Sequence, residues 1–458
     1  RLPCRREAWD RKIMITLPDS RSLFIRVPEL SASSLRKLAI LLFGLISTVL
    51  WIGFSVDTYF ASDGSYYFKI LADKMWFTEI APARTHAEYL SQWPMVVAVN
   101  FGVTDLKLLE IIFGFGLWFP WFLGFLISLY ATREKPFLIF FYLLSLASLN
   151  LAAWALLIGE HLVLLSLVWP LFFLSILKRE HNCGERILTL LLLVAHLKLY
   201  ESTIITGSLL ASIFLLRTWI FESQKERLFS ILFVILALGS IAIALQWTLF
   251  PRDANNRSSF LGAMTHGLGH PYPWIGLSFI FFSALAQLFR QRRLLKLALI
   301  IPTVIGIGSL IYSGIPGGVS FSTRTLTLSI LPIFLVLAGA FSLVKAGKAL
   351  VYSTSAFIVL ISLLHLRHLQ DWVTFRSLFK SILAEETGFV KPEPYGEPLK
   401  HWGWSNPLLS YLWSEGNVKT IILNPGDEGP EDESWKPFNP YTEIILERYL
   451  VERPKVVE

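Results

Sequence analysis

Charged residues are scarce in this sequence. Asp, Glu, Lys and Arg make up 16% of the 458 residues, whereas 54% of the residues are hydrophobic. A soluble globular domain is about a quarter charged, so the composition excludes a soluble enzyme. The net charge of +7 collects in a few connections between apolar runs, which is a pattern of membrane topology rather than of nucleic-acid binding.

Cysteine is rare, and internal repeats are not visible. The two cysteines, Cys4 and Cys183, both lie on the side that we predict to be cytoplasmic, where thiols stay reduced, so no disulfide is expected. The lack of a repeat argues against an inverted-repeat transporter. The first apolar run begins too late and is too long for a cleavable signal peptide. Because the chain starts at Arg1, we expect that the natural N-terminus is missing or processed.

Apolar runs, in contrast, are abundant. A transmembrane helix needs roughly 20 predominantly apolar residues, and such runs recur along most of the chain. The predicted spans are 38–56, 108–131, 136–157, 162–177, 187–200, 203–221, 228–250, 274–289, 297–313, 326–344 and 349–365. The sequence therefore predicts an all-α polytopic membrane protein with about eleven transmembrane helices. The fifth run is short and ends in polar residues, which favours a split or tilted helix.

The sidedness follows from where Lys and Arg collect. The basic connections are residues 132–135, 178–186, 222–227, 290–296 and 345–348, and they alternate with connections that hold far fewer Lys and Arg. Cytoplasmic connections carry the excess of positive charge. We therefore predict a multi-pass protein of the cell (inner) membrane with a cytoplasmic N-terminus and, given an odd number of spans, an extracytoplasmic C-terminal region.

We divide the chain into three parts. Residues 1–37 form a basic cytoplasmic segment, residues 38–365 form the transmembrane domain, and residues 366–458 form a small extracytoplasmic domain of mixed α/β structure. The long first outer connection, 57–107, contains an amphipathic stretch and an apolar piece that is too short to span. We expect helices there that lie in the membrane interface or dip into it.

Two aspartates stand near the start of this connection. Asp57 and Asp63 lie close to the predicted outer boundary, and Tyr66 follows in a helical pattern. A carboxylate there can deprotonate a hydroxyl group or hold a cation. Asp63 can equally be the N-cap of a helix that begins at Gly64 or Ser65, which is a common role for aspartate.

Two further polar groups stand at the ends of short apolar runs. Glu160 and His161 lie in a tight outer turn, where ionisable residues at membrane depth usually have a function, although Glu160 can also simply cap a helix. His196, Lys198 and Glu201 fall around the end of the fifth run. They can line a cavity, or they can pair with each other, for instance Lys198 with Glu201.

Arg84 and Arg324 are the outer-face cations that we single out. Arg324 follows a glycine-rich segment and precedes a predicted span. Arginine binds phosphate through two parallel hydrogen bonds, which suits a lipid-linked phosphate at headgroup depth. The alternative is that these side chains only extend to the lipid headgroups.

A pair of histidines is the one pattern that suggests a metal ligand set. His266 and His270 are four residues apart, a spacing that suits two ligands on one helical turn. Gly267, Gly269 and Pro271 argue against a helix there, and no carboxylate stands beside the pair. The sequence therefore predicts no definite cofactor, with these histidines as the only candidate ligands.

In their order along the chain, these features resemble the GT-C superfamily of membrane glycosyltransferases. The resemblance is greatest to the protein-mannosyltransferase-like and aminoarabinose-transferase-like branches, which use polyprenyl-phosphate sugars. The matching pieces are Asp63-Gly64-Ser65-Tyr66-Tyr67, Arg84 with Gln92-Trp93-Pro94, Glu160-His161, and Arg324 with Ile330-Leu331-Pro332. Two features depart from the family. Gly64 stands where many members carry a second acidic residue, and residues 366–458 match no domain of the family.

The resemblance implies an inverting enzyme that moves a sugar from a polyprenyl-phosphate donor to an acceptor on the outer face. It implies catalytic roles for Asp63, Glu160 and His161. The residues implied in substrate binding are Asp57, Tyr66, Arg84, Lys198, Glu201 and Arg324. The implied partners are the donor, membrane lipids and an acceptor of unknown class, without nucleic acid, and a divalent cation is left open.

Other classes of membrane protein compete with this interpretation. A transporter or flippase for a lipid-linked substrate should show repeats, broken central helices and charges inside the membrane, whereas the ionisable groups here are expected near the outer boundary. A structural subunit of a membrane complex should lack a cavity that joins Asp63, Glu160 and Arg324. A polysaccharide polymerase or ligase would carry its large outer loop late in the chain, and here the long loop comes first.

Overall fold

The structure is a computed structural model, and it is mostly helical. It describes residues 31–61, 63–79, 81–151, 160–177, 180–220, 223–250, 331, 333–338, 348–396, 399, 405–414 and 419–424. Within these residues the only sheet is one pair of short strands.

Helices and strands are numbered in chain order within the described residues. The helices are α1 (Ala32–Ser55), α2 (Asp63–Lys74), α3 (Thr85–Asn100), α4 (Leu106–Ala131), α5 (Ile139–Leu146), α6 (Glu160–Leu177), α7 (Cys183–His196), α8 (Thr203–Ile220), α9 (Gln224–Leu249), α10 (Lys348–Glu385) and α11 (Asn406–Trp413). The strands are β1 (Gly388–Val390) and β2 (Thr420–Ile422). Short 3-10 turns cover Thr58–Phe60, Pro136–Leu138 and Glu393–Tyr395, and Ala147–Leu151 extends α5 as a π-helix.

Five of the described helices are long and apolar enough to cross a membrane. They are α1, α4, α6, α9 and the Val351–Glu385 part of α10, and two shorter apolar stretches are Pro136–Leu149 and Thr203–Trp219. These helices agree with the prediction of a helical multi-pass membrane protein. The predicted spans 274–289 and 297–313, and most of 326–344, lie outside the described residues.

Local sequence signals determine where several helices begin. Asp105 caps α4 by accepting a hydrogen bond from the Leu108 backbone N–H at 2.8 Å. A capping box begins α7, in which the Asn182 side chain accepts from the Glu185 N–H and the Glu185 side chain accepts from the Asn182 N–H. These bonds satisfy first-turn N–H groups that have no partner within the helix.

Polar contacts mark two opposite ends of the bundle. At the Asp57 end, the Tyr59 hydroxyl lies within hydrogen-bond distance of both Asp57 and Glu110, near the start of α4. At the Arg133 end, Arg133 follows the last turn of α4 and pairs with Glu185 at 3.1 Å. Helix α4 therefore runs from the Asp57 end to the Arg133 end.

Helix α1 packs against α4 in the opposite direction. Near the beginning of α1, Arg36 donates to the Arg133 carbonyl oxygen at 2.9 Å. Farther along, the Trp118 indole N–H of α4 donates to the Ser47 hydroxyl at 3.1 Å. The end of α1 then reaches the Asp57 end of the bundle.

Helices α3 and α4 form a close antiparallel hairpin. A Cβ on Gly116 would lie 2.1 Å from the Ser91 carbonyl oxygen, so a larger residue would push the two backbones apart. The Trp93 and Phe119 rings also pack edge to face, with centroids 5.9 Å apart. This packing suits a helix that dips into the membrane, one of the two expectations for the connection 57–107.

Helices α7 and α8 form a shorter hairpin that starts from the Arg133 end. Helix α7 has 14 residues, about 21 Å at 1.5 Å per residue, and residues 197–202 after it form turns. Helix α8 returns toward the Arg133 end, where Arg217 donates to the Ser175 carbonyl oxygen at 2.7 Å. The fifth predicted span is therefore a short helix followed by a non-helical segment.

Helix α10 is continuous across the predicted domain boundary at residue 365. It has 38 residues, about 57 Å at 1.5 Å per residue, which exceeds the roughly 30 Å of a bilayer's apolar core. Strands β1 and β2 follow as a parallel pair, with Gly388 opposite Thr420. Helix α11 packs Trp413 against Trp372 and Phe379 of α10, with centroids 5.9 and 5.1 Å apart.

Candidate functional site

Three charged side chains from separate parts of the chain meet inside the bundle. Arg84 precedes α3, Glu160 begins α6, and Glu201 lies between α7 and α8. Arg84 Nη2 lies 2.7 Å from Glu201 Oε1, and Arg84 Nη1 lies 3.6 Å from Glu160 Oε2. All three residues are less than a tenth exposed. Together with Tyr67 and Tyr200 they are called the Arg84 cluster.

Glu160 is held through both of its carboxylate oxygens. The Tyr67 hydroxyl donates to Oε1 at 2.6 Å, and Oε2 faces the Arg84 guanidinium. A buried carboxylate requires such partners because it has left water. The Tyr67 contact also ties α2 to the beginning of α6.

Glu201 is held through one oxygen only. Its Oε1 accepts from Arg84 Nε at 2.8 Å and faces Nη2 at 2.7 Å, so two guanidinium nitrogens fix its orientation. Its Oε2 is buried and has no hydrogen-bond partner in the described part of the chain. Leaving a buried acceptor unsatisfied is unfavourable, and a ligand with a hydrogen-bond donor would satisfy it.

Aromatic rings border the charged groups. The Arg84 guanidinium lies over the Tyr200 ring, 4.9 Å from its centroid, which is a favourable cation–π distance. The buried His161 ring lies 5.8 Å from the same tyrosine. Glu160 and His161, predicted as a pair, therefore both lie at the Arg84 cluster.

The beginning of α3 is anchored on the end of α7. The His86 backbone N–H donates to the Lys198 carbonyl oxygen at 3.0 Å, and His86 Nδ1 lies 3.1 Å from the Ala195 carbonyl oxygen. First-turn N–H and last-turn C=O groups lack partners within their own helices, so the two helix ends satisfy each other. This contact brings Arg84 beside Glu201.

The neighbouring groups stabilise the charged form of Arg84. Its guanidinium faces the Glu201 and Glu160 carboxylates and lies over the Tyr200 ring. The guanidinium therefore remains positive while it contacts two carboxylates. Three of its five N–H donors face carboxylates, which leaves Arg84 fewer donors for a phosphate.

The depth of the cluster follows from the packing of α6 on α4. The two helices run parallel, and a Cβ on Gly124 of α4 would lie 2.2 Å from the Ser166 carbonyl oxygen of α6. Glu160 precedes Ser166 by six residues, about 9 Å along the helix toward the Asp57 end. Glu160 is thus level with about Trp118 of α4.

The Arg84 cluster therefore lies inside the bundle rather than at its end. Trp118 is eight residues from Glu110, about 12 Å, and fifteen residues from Arg133, about 22 Å. The sequence places these groups near the outer boundary. In the structure the start of α3 and the end of α7 meet within the height of the bundle.

Asp57 belongs to a different cluster, at the Asp57 end. Arg376 of α10 pairs with it at 2.6 Å, and the Tyr59 hydroxyl lies 3.3 Å from Asp57 and 3.2 Å from Glu110. Burial, together with the charges of Glu110 and Asp57, raises the pKa of Tyr59 above its usual range, so the hydroxyl keeps its proton. Asp57 thus connects the end of α1 to α10.

Two other predicted residues flank the cluster. Tyr66 is half-buried on α2, with its ring 6.3 Å from that of Tyr67. Lys198 is half-buried and contributes the carbonyl oxygen that accepts from α3. Among the described residues, the charged partner of Glu201 is Arg84.

The remaining predicted residues lie outside the described part of the chain. This holds for Arg324, His266 and His270, and for the side chain of Asp63, whose backbone begins α2. Within the described residues, no group of three or more His, Cys, Asp or Glu side chains could hold a metal ion.

Sequence reasoning misses three buried polar residues near this region. Tyr67 belongs to the quoted motif but receives no role from it, and Lys69 and Glu88 are only 1% and 0% exposed. Lys69 stands between Phe68 and Ile70 in an otherwise apolar part of α2. A lysine among apolar helical neighbours is a signal of a paired, buried charge, and that signal was available in the sequence.

Comparison with known proteins gives no family for this chain, since no protein-family model, no curated protein and no solved structure matches it.

Proposed function

We propose that this protein is an integral membrane glycosyltransferase of the GT-C type, which moves a sugar from a polyprenyl-phosphate donor to an acceptor on the extracytoplasmic face. One observation carries the proposal. Arg84, Glu160 and Glu201 were each singled out from separate connections, and they converge on one buried cluster. Ionisable groups inside a membrane-spanning bundle are costly and point to function.

In this proposal the Asp57 end faces the outside and the Arg133 end faces the cytoplasm. The basic residues of 132–135 and 180–186 lie at the Arg133 end, as the excess of Lys and Arg on cytoplasmic connections requires. The last turns of α10, with strands β1 and β2, then project from the outer face.

Asp63 is the general base of the proposed reaction. It takes the proton from the acceptor hydroxyl as that oxygen attacks the anomeric carbon on the face opposite the phosphate. The bond between the anomeric carbon and the phosphate oxygen breaks at the same time, and polyprenyl phosphate leaves with the bonding electrons. The anomeric configuration is inverted.

The other residues bind and position the substrates. Arg324 stabilises the charge on the departing phosphate, because the Arg84 guanidinium already serves two carboxylates. Glu160 and His161 position the acceptor, with the Tyr67 hydroxyl fixing the Glu160 carboxylate.

Replacement of Asp63 by Asn tests the chemistry directly. Purified variants are incubated with a panel of radiolabelled polyprenyl-phosphate sugars and membrane extract as the source of acceptor. D63N is expected to abolish transfer at an unchanged melting temperature. The matched control is D105N, since Asp105 caps α4 and Asn caps a helix equally well. Transfer by D63N at the wild-type rate would remove Asp63 from the mechanism.

A second function, transport of a lipid-linked substrate, is favoured by the depth of the Arg84 cluster. The start of α3 and the end of α7 meet beside buried charges, and helices broken inside the membrane are typical of transporters. The products distinguish the two functions. In liposomes, a transporter moves the intact sugar lipid between leaflets, whereas a glycosyltransferase releases polyprenyl phosphate and a glycosylated acceptor.

A further inference from the structure

The turn between α7 and α8 brings a carboxylate with one unused oxygen into the bundle. Helix α7 ends at His196 and α8 begins at Thr203, and Glu201 lies between them. Glu201 is 9% exposed, and its Oε2 is the oxygen that has no hydrogen-bond partner among the described residues. Arg84 holds the other oxygen, Oε1, through Nε and Nη2, which leaves Oε2 as the oxygen for a ligand.

Hydrogen bonds on both sides of the turn hold it in place. His196 Nδ1 lies 3.2 Å from the Ser240 hydroxyl of α9, and His196 Nε2 lies 3.0 Å from the Thr206 hydroxyl of α8. The Thr203 hydroxyl donates to the Ser240 carbonyl oxygen at 3.4 Å. Since buried hydrogen-bonded networks rigidify the groups they join, Glu201 is presented on a preorganised support.

The charges of the cluster restrict what can bind there. One arginine faces two carboxylates, so the Arg84–Glu160–Glu201 group carries one net negative charge. An anionic phosphate is repelled by this arrangement, whereas a neutral group with hydroxyl donors can satisfy Oε2. A sugar ring supplies several such hydroxyls, and hydrogen bonds from them to an ionised carboxylate are strong.

We infer that Glu201 recognises the sugar of the lipid-linked donor, with Oε2 accepting hydrogen bonds from the sugar hydroxyls about 12 Å inside the Asp57 end. This inference rests on the proposed function. It assigns the sugar to Glu201 and leaves the phosphate to another group. The residue that selects the sugar is then different from Asp63, the general base.

The test compares lipid binding with and without a sugar. The wild-type protein in nanodiscs is titrated with undecaprenyl phosphate and with undecaprenyl-phosphate hexoses and pentoses. At least one sugar lipid is expected to bind about tenfold or more tighter than the bare lipid, as strong hydrogen bonds to a carboxylate allow. E201Q turns the unused acceptor into an amide donor and is expected to lose this preference while its affinity for the bare lipid is unchanged.

Two further variants make the result specific. E185Q replaces another buried carboxylate, one that pairs with Arg133 at the opposite end, and it should keep the full sugar preference. E201D keeps the negative charge but draws it back by one methylene, so it should retain part of the preference. A full sugar preference in E201Q overturns the inference alone. A wild-type protein that binds no sugar lipid better than the bare lipid overturns the proposed function and the inference with it.

Discussion

The buried charged side chains of this bundle lie in clusters that contain both acidic and basic residues. Glu160 and Glu201 share Arg84, and at the Arg133 end Glu226 contacts Arg186 at 2.5 Å and Arg217 at 3.8 Å. Removing one member of such a group leaves the other charge buried without compensation, at a cost of about 3–5 kcal/mol. Single substitutions in these groups therefore need a control for stability.

A histidine in the Arg133-end group is held in its neutral form. His181 Nε2 lies 3.2 Å from the Leu174 carbonyl oxygen, and Nδ1 lies 3.1 Å from Arg217 Nη2 and 3.5 Å from Glu226 Oε2. Arg217 can only donate and is nearer to Nδ1 than Glu226 is, so a neutral His181 ring accepts at Nδ1 and donates from Nε2. Burial and the positive charge of Arg217 lower the pKa of His181.

A lowered pKa of His181 gives stability a defined pH dependence. The unfolded chain binds a proton more readily than the folded one, so stability falls as the pH falls below about 6.5, the ordinary histidine value. H181Q keeps one donor and one acceptor but cannot titrate. Between pH 7.5 and 5.5 its melting temperature should change less than that of the wild type, and identical slopes for the two proteins would contradict the assignment.

The sequence predicts the members of the Arg84 cluster better than their contacts. Arg84, Glu160 and Glu201 stand out because each is a charge next to an apolar run, which is visible without a structure. Their pairing depends on the depth at which α3 begins and α7 ends, and no local pattern encodes that depth. Tyr66 received its binding role from the resemblance, which gives no role to Tyr67, the tyrosine that contacts Glu160.

At the scale of helices, close backbone contacts determine how deep the cluster lies. The Gly116–Ser91 contact sets α3 against α4, and the Gly124–Ser166 contact sets α6 against the same helix. A methyl group at either glycine would overlap a backbone carbonyl oxygen. These two glycines therefore position Arg84 and Glu160 relative to each other.

A methyl group at Gly116 should separate α3 from α4. We expect G116A to lower the free energy of unfolding by about 1–3 kcal/mol, the usual effect of overpacking, and to reduce transfer because Arg84 moves with α3. G44A is the matched control, since nothing lies within 4 Å of a Cβ at that helical position. Thermal melts in detergent that show equal losses for the two variants would contradict the close-packed hairpin.

Helices α7 and α10 end at different residues from those that the sequence predicts. Helix α7 ends at His196 because the beginning of α3 satisfies its last carbonyl groups, a long-range contact that the sequence does not reveal. Helix α10 continues past residue 365 because 348–385 contains neither proline nor glycine, which the sequence does show. The predicted boundary at 365 followed the drop in hydropathy there.

At the scale of the whole molecule, the exposed Cys183 at the beginning of α7 reports the orientation of the protein. In a C4S background it should react with a membrane-impermeant maleimide in inverted vesicles and not in intact cells, because the positive-inside pattern places the Arg133 end in the cytoplasm. W76C, at an exposed position in the outer connection, should show the reverse pattern. Labelling of Cys183 in intact cells would invert the proposed topology.

The proposed function makes the Arg84 cluster the working centre of the molecule. Its two carboxylates have a matched counterpart at the other end of the bundle, since Glu185 is also buried and pairs with an arginine. A Gln at residue 185 can still complete the capping box of α7, so E185Q controls for the loss of one buried negative charge.

The most direct measurement is therefore the rate of sugar transfer from the polyprenyl-phosphate panel by E160Q and E185Q, each at equal folded concentration. The account predicts that E160Q loses at least about a hundredfold in rate, as the removal of a positioned polar group in an active site does, while E185Q stays within a few-fold of wild type. Equal rates for the two variants would contradict a functional role for the Arg84 cluster.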